Sequence, residues 1–548
     1  MELKIKEHPF IGVTLFIENK MYHDYFTWDS RLAAYEKALK SFDSDIDASY
    51  DFFEKDFLLF TGEWIRHDSI RNGRKPALIY YYYIFELLEE YAKARGKRVV
   101  IETGYIDSWF VGYLKTKGYS VRFNSKARFL SFLYESYRYA RDFKGFFKWM
   151  GSGFILKKKP CFNESNDKCL IDIPAISNKH RYGINIDEAL HDGVPIYSCV
   201  VTGEFYDDKG FKIKYSQLLP VSFKLKVYLK SVVFFFKKFN VEKERLYFIR
   251  LRKLKLASII RSFINYEAHK FLFNKYIFKC ALIQSSINNS LKKPLLLAAI
   301  DNGVTNVNFF PRPVSPSRVA ERLTEKEVFK SNLNPISDFN VLPDLSSISF
   351  LLNYGFDTKK VFLNPKKQYL STVNNFSRKT IVVLFGNKRK VNKALIDLLY
   401  SSNQWICEEF NIVIRPHPLL PFDNEEHLRL TKLKTDWVDG SGSKAWHGGN
   451  SVVITASSTA VVEAALTGSG VVWCPFIEDE ALMMWPIMQK LGYVAKSEAD
   501  LSDFLFSIAS DAPFLDFCLH CNKAAVEQFN GYSGDSQFSK FDLGQLLR

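Results

Sequence analysis

"VVITASSTAVVEAA", Val452 to Ala465, and "NIVIRPHP", Asn411 to Pro418, are built alike. Each starts as an apolar run and breaks abruptly, the first into small hydroxyl residues and a helical pattern, the second into arginine, proline and histidine. "TIVVLFG", Thr380 to Gly386, is a third such run, a continuous β-branched stretch that suits a strand buried on both faces. Between and beyond these runs the helical pattern returns, in "KVNKALIDLLYSS", "NEEHLRLTKL" and "STAVVEAALTG". "DWVDG" and "GVVWCPF" add two further strands, and Gly468 closes the helix before the second of them. Repeated βα units with short loops make a doubly wound parallel sheet, and such sheets bind ligands at the carboxyl ends of their strands. Both abrupt endings fall there.

The chemistry at those ends suits an anion. Ser457, Ser458 and Thr459 stand where strand becomes helix. There the first backbone N–H groups lack internal partners and the helix dipole favours negative charge. One hydroxyl would suffice as an ordinary helix cap. Glu463 lies one turn further on, placed to accept from ribose hydroxyls, although a solvated surface glutamate fits the same pattern. Pro416 and Pro418 stiffen the loop around His417, which can donate to a phosphate oxygen. As imidazolium it would add charge. Arg415 pairs with a carboxylate or reaches the phosphate itself. Gly386, ending the first run, is the further donor-side candidate.

The rest of the chain bounds the reading. At 548 residues, 47% of them hydrophobic, it exceeds one core and divides into domains. A formal charge of +15 favours anionic partners, or simply a basic solvated surface. The eight cysteines are scattered except for Cys518 and Cys521, a lone pair better read as small apolar residues on a helix than as a zinc site, and they point to a reducing cytoplasm. The N-terminus has no signal-peptide pattern, and no apolar run reaches the eighteen or so residues of a membrane span. Phe123–Pro160 and Val221–Asn240 interleave Lys and Arg with aromatics. That pattern suits either an anionic bilayer surface or a helix docked on the core with its lysines in water. No nucleic-acid motif is present.

Upstream, "DFLLFTGEW" and "KRVVIETG" read as strands, and "KPLLLAAIDNGVTNVNFF" as an apolar run, a turn and a second apolar run. The pattern fits least well over about 120–260, which reads as an aromatic-basic insertion.

The order RPHP, SST, EAA, VVWCPF over roughly residues 376–495 resembles the C-terminal domain of bacterial glycosyltransferases of the GT-B fold. The likeness is to the Kdo transferases and polysialyltransferases of surface-polysaccharide synthesis, which use CMP-activated acidic sugars. Teichoic-acid-type glycerophosphotransferases are also similar. In the first group an HP motif and a Ser-Ser/Thr motif hold the donor phosphate, which the resemblance carries to His417, Ser457 and Ser458. "LLNYGFDTKKVFLNPKKQYL" resembles the last strand and linker of the first domain in such proteins, and "INYEAHKFLFNKYIFKCALIQSS" a helical segment of theirs. The acidic motif that carries the base in polysialyltransferases has its nearest counterpart in "YDDKG", with a lysine interposed.

The resemblance implies an α/β GT-B chain with two Rossmann-like domains facing a cleft. Residues 1–372 would form the acceptor-binding domain and 373–510 the nucleotide-sugar domain, with a helical tail over 511–548 packing back on the first. It implies an inverting, metal-independent glycosyltransferase of capsule or lipopolysaccharide synthesis. Such an enzyme uses a nucleotide sugar and a glycan or glycolipid acceptor, needs no cofactor, and works in the cytoplasm or at the inner face of the cytoplasmic membrane. Glu267 and His269 in "NYEAH" are candidate bases, although two residues apart on a regular helix they point in different directions. Glu102, at the end of "VVIETG", is the alternative. The rival readings are a non-hydrolysing nucleotide-sugar epimerase, a glycerophosphotransferase and a non-catalytic glycan-assembly protein.

Overall fold

The computed structural model describes residues 3–8, 12–17, 20–21, 25–38, 40–42, 44–45, 78–95, 98–101, 108–123, 129, 132–133, 136–137, 140, 147, 169–172, 196–200, 204–206, 212–241, 244–246, 256–276, 278–284, 292–310, 337–353, 357–363, 378–386, 389–401, 403–417, 420, 422–432, 436–437, 450–456, 458, 460–477 and 487–530. The run "DFLLFTGEW" lies outside them, as do Glu102, Ser457 and Thr459.

Among the described residues, three sheets follow one another along the chain. The first contains β1 (Leu3–His8), β2 (Gly12–Ile17), β3 (Lys20–Met21), β4 (Arg98–Ile101) and β5 (Ser120–Phe123), in the order β3-β2-β1-β4-β5. Strands β1, β4 and β5 are parallel, and β2 and β3 extend the edge as an antiparallel meander. Among the described residues, helices α1 (Leu78–Arg95) and α2 (Ser108–Thr116) belong to this region, and residues 28–38 and 40–42 are also helical. Its core is aromatic: Tyr81, Tyr82, Tyr83, Phe42 and Phe110 are among the largest fully buried side chains.

The second sheet has eight strands. They are β6 (Cys169–Asp172), β7 (Ile196–Val200), β8 (Glu204–Tyr206), β9 (Lys212–Lys214), β10 (Cys280–Gln284), β11 (Thr305–Phe309), β12 (Phe339–Leu342) and β13 (Val361–Leu363), ordered β13-β12-β11-β10-β6-β7-β8-β9. From β13 to β7 every pairing is parallel. Strands β6 and β7 come from the stretch over 120–260 that the sequence sets apart, yet β6 lies between β10 and β7 within the sheet. That part of the stretch is integral to the domain. Among the described residues, the longer helices that accompany this sheet are α3 (Val221–Lys237), α4 (Leu256–Lys275), α5 (Lys292–Asp301) and α6 (Leu345–Asn353).

The third sheet is the one read directly from sequence. It comprises β14 (Thr380–Leu384), β15 (Asn411–Arg415), β16 (Asp436–Trp437), β17 (Ser451–Thr455), β18 (Gly470–Trp473) and β19 (Tyr493–Val494), all parallel, in the order β16-β15-β14-β17-β18-β19. Counted along the chain this is 3-2-1-4-5-6, the doubly wound order, and its switch point falls between β14 and β17. Every residue of β14, β17 and β18 is buried, as a strand covered by helices on both faces requires. The helices used below are α7 (Arg389–Ser401), α8 (Asn424–Lys432), α9 (Ala460–Leu466) and α10 (Asp511–Asn530). Gly468 ends α9 at φ 97°, a left-handed value that an L side chain would strain.

The fold class is therefore α/β with Rossmann-like parallel sheets in tandem, as the sequence indicates, preceded by a smaller sheet that it does not foretell. Helix α10 packs on α9 and β18 and also reaches the second sheet's domain, where Gln528 accepts from the Ser346 N–H at 2.9 Å. The cysteines of α10 serve packing. The Cys518 thiol donates to the Ser451 carbonyl at 3.3 Å, and Cys521 Sγ accepts from the Val471 N–H at 3.4 Å. Burial pushes these two thiols up to about 11 and about 12.

Candidate functional site

The last rung across the third sheet sets out the site. Register pairs Arg415 with Leu384, Leu384 with Thr455, and Thr455 with Trp473, so four strands end level. Arg415, His417, Gly386, Ser458 and Glu463 all follow from that rung, at the carboxyl edge and around the switch point.

The rung is tied together beyond ordinary sheet pairing. Thr455 is fully buried, and its Oγ1 donates to the Leu384 carbonyl at 3.0 Å across the switch point. The same oxygen accepts from the Ser458 N–H at 3.1 Å, which bends the chain out of β17. Trp473 Nε1 donates to the Ala456 carbonyl at 2.8 Å and fixes the next residue of the turn. Ser458 Oγ accepts from the Ala460 N–H at 3.3 Å, a helix-capping contact that leaves its own O–H as a donor. Ser457 and Thr459 flank it outside the described residues.

Gly386 is buried, and Asn392 of α7 grips it twice. The Gly386 N–H donates to Asn392 Oδ1 at 3.0 Å, and Asn392 Nδ2 donates back to the Gly386 carbonyl at 3.1 Å. The Gly386 amide is thus engaged within the protein, and what the glycine contributes at the edge is backbone shape rather than a free donor. Asn392 escapes sequence reading because an asparagine inside a helical pattern carries no signal of its own; its distance of six residues from a strand-ending glycine is the one available cue.

The charged groups form a compact cluster. Arg415 and Glu463 interact electrostatically, and Glu463 holds the guanidinium against the loss of charge that half-burial favours. His417 is half-buried, and burial first, then the adjacent Arg415, lower its pKa below the ordinary histidine value. At neutral pH His417 is therefore a neutral imidazole offering an N–H, and the fixed positive charge of the cluster is Arg415. The His417 loop closes on itself through the Leu420 N–H, which donates to the His417 carbonyl at 2.9 Å. At the adjoining loops Arg389, the first residue of α7, pairs with Asp423, which also caps α8 by accepting from the Glu426 N–H at 2.9 Å. Among the described residues Arg389 is a further cation near this edge, and it was not singled out in the sequence.

The candidate bases fare differently. Helix α4 is regular, so Glu267 and His269 do not share a face. His269 is 0% exposed, and burial drives its pKa down to about 3, so it is a neutral core residue with no solvent-facing side. Glu267 is half-buried, and its pKa is raised by burial, opposed by Lys270 and Lys230 and reinforced by Asp301. The hydroxyl of its neighbour Tyr266 hydrogen-bonds Asp301. Asp301 ends α5, and β11 begins four residues later at Thr305. Glu267 therefore sits beside the amino edge of β11, whereas ligands of such sheets gather at the carboxyl edge. His269, enclosed in the core, does not face an acceptor, and Glu267 stands at the amino edge. Strand β4 ends at Ile101, immediately before Glu102, which lies outside the described residues.

Neither a family model nor a curated relative matches the sequence. Among solved structures, the chain is similar to Staphylococcus aureus MnaA in complex with UDP, at 11% identity and TM-score 0.38 over 69% of this chain and 100% of that one. It is also similar to the Neisseria meningitidis UDP-GlcNAc 2-epimerase bound to UDP-GlcNAc, at 11% identity and TM-score 0.36 over 65% and 94%. A third is Phytolacca americana UGT2 complexed with UDP-2fluoro-glucose and pterostilbene, at 9% identity and TM-score 0.38 over 69% and 97%. These likenesses are distant, and nothing about donor or reaction passes from them to this chain.

Proposed function

We propose that the protein is a glycosyltransferase that binds a nucleotide sugar at the carboxyl edge of the third sheet and transfers the sugar to a glycan or glycolipid. The observation that carries this reading is the convergence of Arg415, His417, Ser458 and Glu463 around the switch point of a 3-2-1-4-5-6 sheet. A nucleotide's phosphates would meet the guanidinium, the His417 N–H and the Ser458 hydroxyl, and Glu463 is placed for ribose hydroxyls.

The chemistry follows from charge. Breaking the sugar–phosphate bond leaves negative charge on the phosphate, and preorganised donors stabilise it as it develops. Arg415 supplies positive charge without proton transfer, which makes the step independent of a metal ion. The acceptor hydroxyl must lose a proton as it attacks, with inversion at the sugar carbon, and Glu102 after β4 is the proposed base. The short resemblance through His417, Ser457 and Ser458 supports a CMP-linked acidic sugar as donor and surface-polysaccharide synthesis as the setting, at the inner face of the cytoplasmic membrane.

Incubation with labelled nucleotide sugars and a glycan acceptor tests the reading. Transfer of label to the acceptor with release of nucleotide supports it. Interconversion of the free sugar nucleotide without an acceptor would instead make the protein an epimerase, and binding without any product would make it an assembly protein.

A further inference from the structure

Helix α3 inverts the usual arrangement of a surface helix. Lys224 is 1% exposed and Lys238, just after the helix, is also 1% exposed, while Leu229 and Val233 are both 68% exposed. Leu225 and Phe236 are exposed on the same side. The spacing 225, 229, 233, 236 is a single helical stripe. Lys226, Lys230 and Lys237 are exposed or follow the stripe one residue on, forming a row along one of its borders. Inward, the helix is already satisfied: Val227 and Phe234 are buried, and α3 packs on α4. Ser231 Oγ donates to the Val227 carbonyl at 2.7 Å, so this buried hydroxyl is also accounted for. The outward stripe is thus surplus to the fold's own packing. Soluble surfaces place single apolar residues outward, not four in a line on one helix.

The charge around the stripe names the occupant. From Lys209 to Val241 the sequence holds eight lysines and not one aspartate or glutamate. An apolar face bordered by cations, on a helix that itself carries no acid, is complementary to a surface that is hydrocarbon below and anionic at its rim. Lysine stems can lie along the hydrocarbon while their ammonium groups stay among headgroups. Among the described residues no single helix is long and apolar enough to cross a membrane, so α3 would lie in the interface plane. Phe132, Tyr137 and Phe147, from the other aromatic-basic stretch, are also exposed.

We propose that α3 is a membrane-docking helix, its Leu225–Leu229–Val233–Phe236 stripe entering an anionic bilayer surface and Lys226, Lys230 and Lys237 engaging the phosphate headgroups. This placement depends on α3 alone and not on the donor site.

Co-sedimentation of the full chain with vesicles tests it. One set is phosphatidylcholine alone and the other an equal mixture with phosphatidylglycerol. The wild type should bind the anionic vesicles at least tenfold more strongly than the neutral ones, and less at high salt. Leu229→Asp with Val233→Asp should abolish binding to both, and these exposed positions carry little folding risk. Lys226→Gln with Lys230→Gln should remove most of the preference for anionic lipid. Unchanged thermal midpoints and unchanged nucleotide response in the same variants would show that the fold and the donor site are intact. Binding that survives the double aspartate variant, or no binding to anionic vesicles, overturns the proposal. So does a lipid-free dimer, seen by sedimentation velocity, that the same variant dissolves, because the stripe would then be a self-association surface.

Discussion

Thr455 Oγ1 donates to the carbonyl of Leu384 and so clamps the two strand ends that border the switch point, at a distance of 3.0 Å. The same hydroxyl receives the Ser458 N–H. One buried side chain therefore sets both the spacing of the crevice and the turn that presents Ser458.

Thr455→Val removes the clamp while keeping volume and β-branching. It leaves the Ser458 N–H without its acceptor, and the loss of such a buried bond should cost about 1–3 kcal/mol, read as a lower denaturant midpoint. Thr455→Ser should recover most of that loss. A valine variant as stable as the parent, with unchanged nucleotide response, would remove the clamp from the account.

His417 gives the nucleotide site a pH dependence of definite sign. In the free protein burial and Arg415 hold its pKa below the ordinary value, so the ring is neutral at pH 7. A bound phosphate favours the imidazolium and raises that pKa, so binding takes up a proton when the pH falls below the raised value. Affinity should be flat from about pH 7.5 upward and should climb as the pH falls towards the ordinary histidine range near 6.5. His417→Gln should keep an N–H donor and lose the climb, as titration calorimetry at several pH values would show.

His269 predicts an acid limb of stability. Its folded pKa of about 3 lies below the ordinary histidine value, so over that interval the unfolded chain binds a proton that the folded chain does not. Stability from this group is complete above about pH 6.5 and is lost as the pH falls below it, by up to about 1.4 kcal/mol per pH unit. His269→Gln should flatten that limb in chemical denaturation between pH 6.5 and 4.5. An unchanged slope would show that the ring is protonated within the fold.

The base assignment separates two glutamates. Glu102→Gln should lower turnover by roughly two to four orders of magnitude, with nucleotide binding little changed. Glu267→Ala, altering a residue near the amino edge of β11, should leave turnover within a few-fold of the parent. Steady-state transfer assays on both variants decide the matter, and the reverse outcome would return the base to α4.

The third sheet was legible because its strands are continuous β-branched runs ending in turn residues. "TIVVL", "SVVIT" and "GVVW" are buried at every position, and burial on both faces removes the polar alternation that makes other strands ambiguous. "CLID" and "IYSCV" were illegible as strands of the sheet because four or five residues in an aromatic, basic setting carry no period. The orientation of α3 was equally hidden. Lysines and apolar residues at helical spacing allow either face to turn inward, and the neighbouring α4 decides it. Glu267 shows a related ambiguity: a helix places a carboxylate on a face, but only the strands beside it tell which edge of the sheet that face serves. Thr455 and Asn392 each act through a pair of hydrogen bonds to the backbone, which leave no mark on composition or spacing.

The most direct test is a thermal-shift series with CMP, CDP, UDP and GDP on the parent and on Arg415→Met. Arg415 is the fixed charge of the proposed donor site, so at least one nucleotide should stabilise the parent, by about 2.7 kcal/mol at a hundred times its dissociation constant. The same nucleotide should leave Arg415→Met unshifted while the Leu229→Asp variant responds as the parent does. A parent that no nucleotide stabilises, or an Arg415→Met protein stabilised as fully as the parent, would contradict a nucleotide site at the carboxyl edge of the third sheet.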